Sequence, residues 1–171
     1  AGWNVIKCLC GRHWDPLFEK DEKGLLQKRM DEVCDGELQN CKANGGAYTR
    51  EHFFGKYPEL AEMVADLSDD EIMNLNRGGH DPYKVYAAYQ AAMNHKGQPT
   101  VILAQTVKGY GTGKSGEAKN DTHSMKKVAL DDLKDFRDRF NIPLSDEQLK
   151  EVPYYRPSPD SPEMKYMLGR R

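Results

Sequence analysis

The sequence predicts an α/β fold, with a parallel sheet flanked by helices and a helix-rich insertion between its two visible strands. Two short, nearly unbroken apolar runs carry the sheet, NVIKCLC (4–10) and PTVILAQTV (99–107). A strand covered on both faces reads as continuous apolar sequence, not as alternation. Polar, helix-patterned sequence fills the space between them. Its last helix turns through Lys96-Gly97 into the second run, which is one half of a right-handed crossover between parallel strands.

Each element has a local reason. The first run ends at Gly11, and GLLQKRMDEV (24–33) carries apolar residues at 25, 26, 30 and 33. In KYPELAEMVADL (56–67), Pro58 takes a first helical position, where a missing N–H costs nothing. Ser68 followed by Glu71 is a capping-box pattern. HDPYKVYAAYQAAMNH (80–95) is the clearest helix: Asp81 caps it, Pro82 fits the first turn, and 85, 88, 89 and 92 make one apolar stripe. DDLKDFRDRF (131–140) is a short amphipathic helix, and Ser145 with Gln148 repeats the capping box. VPYYRPSPDSPEM (152–164) has no period and reads as a linker or a surface-hugging tail. Two strands do not make an independently stable sheet. The sheet's other strands are therefore expected outside these residues, and AGWNVIK, which lacks an initiator Met, reads either as a processed start or as part of a piece cut from a longer chain.

Composition excludes several classes. The 171 residues fit one domain, but only 38% are hydrophobic, a lean core for that length. With 25 basic and 27 acidic residues well mixed, the chain lacks the basic excess of a nucleic-acid surface. No apolar run approaches membrane-spanning length. Cys8, Cys10, Cys34 and Cys41 show no zinc spacing, so free thiols in a cytoplasmic setting are expected. Cys8 and Cys10 are expected on one side of the same strand.

KGYGTGKSGEAKND (108–121) contains a literal G-x-G-x-x-G at Gly111, Gly113 and Gly116, and falls one residue short of a P-loop. A dinucleotide fingerprint must open a helix at once, because the helix N-terminus holds the pyrophosphate. Here no apolar stripe begins until about Val128, and the P-loop register is wrong. A nucleotide cradle is disfavoured on both counts. The loop nevertheless leaves the carboxyl end of a strand, where open α/β sheets place ligands. Lys108 stands at its base and His123 toward its far end. A glycine-hinged segment bearing a titratable His reads either as a lid delivering an acid or base, or as a flexible surface connection. In GGHDP (78–82), His80 and Asp81 read as structural, since the glycines make a turn and Asp81 a cap. His13, His52 and His95 have no informative partners; Phe53, Phe54 and Tyr57 read as packing residues or a subunit contact.

GWNVIK (2–7), GAYTREHFFGKYPEL (46–60), LNRGGHDPYKVYAAY (75–89), VILAQTVKGYG (101–111), AKNDTHSMKK (118–127) and DRFNIPLSD (138–146) together resemble the homodimeric, bacterial-type E1 components of pyruvate dehydrogenase. The resemblance covers essentially the whole chain, and its GHD, helix, strand and glycine-loop order is shared more distantly with transketolase-like enzymes. It implies part of a thiamine-diphosphate-binding fold. Residues 1–128 would be the second half of the diphosphate/Mg-binding domain, and 129–171 a helix and Pro-rich connection toward the next. It implies thiamine diphosphate and Mg2+ as cofactors, pyruvate as substrate, a second E1 subunit, and transfer of the acetyl unit to the lipoyl domain of the E2 dihydrolipoyl acetyltransferase. Lys108 matches the family lysine reaching the active site from the strand end. His123 matches the histidine of a mobile inner loop that serves acyl transfer. The family's G-D-G motif, which lies just upstream of GWNVIK in such proteins, is absent. The diphosphate and metal ligands are accordingly expected elsewhere, the chain alone is expected to be inactive with little cofactor affinity, and 110–124 is expected to be disordered or displaced when the rest of the site is missing. The competing readings are a transketolase-like transferase on sugar phosphates and a non-catalytic helical module that binds a partner.

Overall fold

Strands β1 (Asn4–Cys8) and β2 (Thr100–Ala104) pair in parallel, with Asn4 beside Thr100 and Cys8 beside Ala104. The computed structural model describes residues 2–171, and among them the sheet has these strands alone. The α/β expectation holds, in a helix-heavy form. Burial on both sheet faces does not. Val5, Lys7 and Leu103 share one face of the pleat, and Val5 is 50% and Leu103 49% exposed. The first strand alternates after all, because Lys7 puts a charge on that open face while Ile6 and Cys8 turn the other way. It also ends earlier than expected: Cys10 lies beyond it, in an isolated antiparallel bridge with Arg77.

The insertion is a helical subassembly with its own core. It comprises α1 (Asp15–Lys20), α2 (Leu25–Glu32), α3 (Asp35–Asn44), α4 (Gly46–His52), α5 (Pro58–Met63) and α6 (Asp69–Met73). Leu17, Leu26, Cys41, Phe53, Phe54, Leu60, Val64 and Ile72 are buried together, with the Trp14 ring 6.1 Å from Phe54 and edge-on to Phe53 at 6.2 Å. Phe53 and Phe54 are thus core residues. Arg29 is buried among them at 2% exposure. Its Nε donates to the Phe53 carbonyl at 3.0 Å, its Nη2 to the His52 carbonyl at 3.2 Å, and it pairs with Glu37.

Helix α7 (Pro82–Asn94) packs against both strands. Val85, Ala88 and Ala92 turn inward, but Tyr89, expected on that stripe, lies with Tyr86 and Met93 on the exposed face. Its cap forms as the sequence requires. The Asp81 carboxylate accepts from the N–H groups of Tyr83 (2.9 Å), Lys84 (3.4 Å) and Arg12 (2.7 Å). Burial pushes this carboxyl up, yet the three N–H donors and the nearby Arg12 charge outweigh it and hold it below its ordinary value. A depressed carboxylate pKa stabilises above the unfolded value, about 3.9, and that stabilisation disappears as pH falls through the folded one. Asp81→Ala is expected to cost about 1–2 kcal/mol at neutral pH in thermal unfolding, and to lose less against the parent as the buffer is acidified below about pH 4. A pH-independent cost would remove the carboxylate from the account.

Beyond β2 come α8 (Gly113–Gly116), α9 (Leu130–Arg139), α10 (Asp146–Lys150) and α11 (Pro162–Gly169). Both capping boxes form, at Ser68 and Ser145. The stretch read as a linker or a surface-hugging tail runs into α11, where the Ser161 hydroxyl accepts from Met164 N–H at 3.3 Å and Pro162 opens the helix. No helix among the described residues is long and apolar enough to cross a membrane.

Candidate active site

The strand ends meet a single 3-10 turn, Gly78–His80. Gly78 N–H donates to the Leu9 carbonyl at 2.8 Å and Gly79 N–H to the Gln105 carbonyl at 2.9 Å. Val107 N–H donates to His80 Nε2 at 2.7 Å. The His80 ring also lies against Tyr110, centroids 3.6 Å apart and planes within 8°. Burial lowers the His80 pKa, and the Arg139, Lys42 and Arg77 charges push the same way against Glu117. The structural role expected of GGHD is what these bonds provide.

The glycine loop that follows is folded and held by hydrogen bonds, so of the two expectations for 110–124 disorder is not what the structure shows. Ala118 N–H returns to the Lys108 carbonyl at 3.0 Å, and the Thr112 hydroxyl donates to the Gly109 carbonyl at 2.6 Å. Thr122 donates to the Gly116 carbonyl, and Ser115 to Asp132 on α9. Gly111 has a left-handed φ of 89°, and a Cβ there would lie 2.7 Å from the Phe140 ring. Glycine serves close packing at this position, not hinging. From α3, Gln39 donates to the Ala118 carbonyl (2.7 Å) and to Asn120 Oδ1 (2.9 Å).

Glu117 is the electrostatic centre of this arrangement. It accepts from Gly111 N–H at 3.2 Å and pairs with Arg139 at 2.9 Å. Its Oε1 faces Lys42 Nζ at 3.2 Å, within ion-pair distance. Burial raises its carboxyl, and Lys42, the Gly111 N–H and Arg139 together bring it below the ordinary range. Glu117 and Lys42 are far apart in sequence and no spacing signals their meeting. Arg77 and Tyr110, in contrast, sit inside the very motifs the sequence offers, RGGHD and KGYG.

Lys108 is exposed and lines a polar cleft of about 360 Å3 with Asp35, Gln39, Arg77, Lys119 and Asn120. Arg77 has no carboxylate within ion-pair distance among the described residues, and burial pulls its guanidinium below the ordinary value. His123 ends the 3-10 turn Asn120–His123, exposed and outside the wall of that cleft. Among the described residues no hydrogen bond or ion pair joins Lys108 to His123, and His123 does not line the cleft that Lys108 opens on. A second, apolar cavity of about 240 Å3 lies between the strand ends and the insertion, lined by Trp14, Met30, Cys41, Phe53, Ile72 and Arg77 among others. It is the better enclosed, and burial pushes up Cys41 and Cys10 on its wall; Lys108 lines the polar cleft instead. All the cysteines are free. No group of three or more His, Cys, Asp or Glu side chains that could hold a metal occurs among the described residues.

No family model matches the chain. The pyruvate dehydrogenase E1 component of Pseudomonas aeruginosa is 67% identical over 171 residues. That of Mycolicibacterium smegmatis is 58% identical over 175, and that of Escherichia coli K12 51% over 171. Each match covers 100% of this chain. Along its whole length the chain is an E1 homologue. The homologue spans 19% of the length of each of these relatives. The matched region of the E1 homologue includes the strand ends, the GGHD turn, the glycine loop and His123 together.

Proposed function

We propose that this chain is a segment of a homodimeric, bacterial-type E1 component, acting in the cytoplasm as part of a multienzyme complex. In this reading β1, β2 and their helices belong to a thiamine-diphosphate-binding fold, 1–128 to its diphosphate-binding domain and 129–171 to the connection beyond. The enzyme decarboxylates pyruvate oxidatively and passes the acetyl unit to the lipoyl group of the E2 dihydrolipoyl acetyltransferase. Thiamine diphosphate supplies the electron sink when bound; it and Mg2+ are held by residues outside these 171. The single observation that carries the reading is identity of 51–67% with E1 components across all of the chain.

The chain's own residues have bounded tasks. Arg77, Lys108 and Lys119 against Asp35 give the cleft a positive balance that favours an anionic reactant. Lys108 presents its charge from the strand end, and His123 exchanges a proton during acyl transfer. The test is CO2 release by the polypeptide that carries this chain, supplied with thiamine diphosphate and Mg2+. Pyruvate is expected to turn over, at a rate in the usual range of about 1–10³ s⁻¹, with acetylation of a lipoyl domain; the 171 residues alone are expected to show none. Turnover of sugar phosphates instead would make the protein transketolase-like. Failure with both would leave a partner-binding module.

A further inference from the structure

One imidazole holds the chain on both sides of Lys108. On the strand side, His80 Nε2 takes the Val107 N–H at 2.7 Å. On the loop side, the same ring carries Tyr110 at 3.6 Å, and Tyr110 in turn has the Arg139 guanidinium carbon 4.3 Å from its centroid. A backbone N–H can only donate, so Nε2 bears no proton and the ring's hydrogen sits on Nδ1. Between the two grips lie only Lys108 and Gly109, and Gly109 has a left-handed φ of 72°. A residue so permissive leaves the direction of the lysine to what holds the chain around it, His80 on both sides and the Ala118 N–H on the Lys108 carbonyl at 3.0 Å. His80 itself is immobilised by its own turn, whose other N–H groups are bonded to the ends of both strands.

From these bonds we propose that His80 is the positioning residue for Lys108, a neutral imidazole that sets how the lysine leaves the strand end and keeps the root of the glycine loop in place. The task it serves rests on the E1 reading above; the clasp itself is a property of these residues. Its two components separate by substitution. His80→Phe keeps a ring for Tyr110 but leaves Val107 N–H without an acceptor, whereas His80→Gln restores an oxygen near the Nε2 position.

The experiment is amide hydrogen exchange of the protein and both variants, read over 107–119 with 53–64 in the insertion core as reference, followed by acetyl transfer to a lipoyl domain. In His80→Phe the loop amides are expected to exchange at least about tenfold faster, the scale of one lost net hydrogen bond, with the reference unchanged and acetyl transfer reduced. His80→Gln is expected to bring both back to within about threefold of the parent, since it replaces the lost acceptor. Unaltered loop exchange in His80→Phe overturns the proposal. So does acceleration shared by the reference amides, which would mark a residue that only holds the fold, and so does an unrescued His80→Gln. If loop exchange responds as expected while even the parent fails to turn over pyruvate, the clasp stands and the E1 reading falls.

Discussion

Replacing His123 with alanine is expected to lower acetyl transfer from pyruvate to a lipoyl domain by at least about 10²-fold, the lower end of what a positioned acid–base group contributes. The expectation draws on two features of the site. His123 is exposed at the end of the Asn120–His123 turn, and among the described residues no hydrogen bond or ion pair to its ring is found. Its removal should therefore change folding stability by no more than about 0.5 kcal/mol, and a thermal melt on the same sample establishes that any lost activity is chemical. The loop around it stays pinned through Gln39, Glu117 and Ser115, so the change is confined to one side chain. A loss below about threefold, against the 10²-fold expected of an acid–base group, would leave His123 as a surface residue.

The largest stability effect is expected at Arg29. Truncation to alanine removes the donor to two carbonyls, Phe53 and His52, and opens space beneath the Phe53 ring, which lies 4.9 Å from the guanidinium carbon. Glu37 is 39% exposed and stays in water when Arg29 is removed, so the loss comes from the carbonyls left unpaired, about 1–3 kcal/mol, and from the lost packing, out of a total of about 5–15 kcal/mol for a domain. Urea unfolding of Arg29→Ala should show that loss as a lowered midpoint. Arg29→Met, which keeps most of the volume, should recover part of it, because the methionine restores packing but leaves the carbonyls unpaired. A loss under about 1 kcal/mol in the alanine form would mean that the carbonyls find water, and that the insertion does not depend on this ion pair.

What the sequence revealed was whatever is decided by neighbours in the chain. The capping boxes at Ser68 and Ser145, the Asp81 cap and the Pro82 start all depend on residues within one helical turn. Helices α3 and α4 escaped notice because DGELQNCKAN and GAYTREH present little apolar periodicity; α4 is placed instead by packing against α3 and α6. The tail helix was hidden by the prolines that precede it, although Ser161-Pro162 is itself a helix start. At the site, Lys108, His123 and the GGHD turn were legible as motifs. The network around Glu117 was not, since Lys42, Arg139 and Gln39 reach it from separate helices. The glycines misled in one respect. Their number spoke for mobility, whereas Gly111 shows that a glycine can also be the mark of a tight fit.

The pairing of Asn4 with Thr100 has a kinetic side. Bringing the ends of so long a segment together from a random chain costs about 4 kcal/mol in loop-closure entropy, by the logarithmic scaling of flexible loops. The insertion lowers that barrier, because its own core, Leu17 through Ile72, is assembled entirely from contacts inside the loop. Once those helices collapse, the strand termini are tethered by a compact body instead of a coil, and the remaining search is short. The insertion is thus expected to act as a folding template for the strands that flank it, with β1 zipping onto β2 after the helices have collapsed.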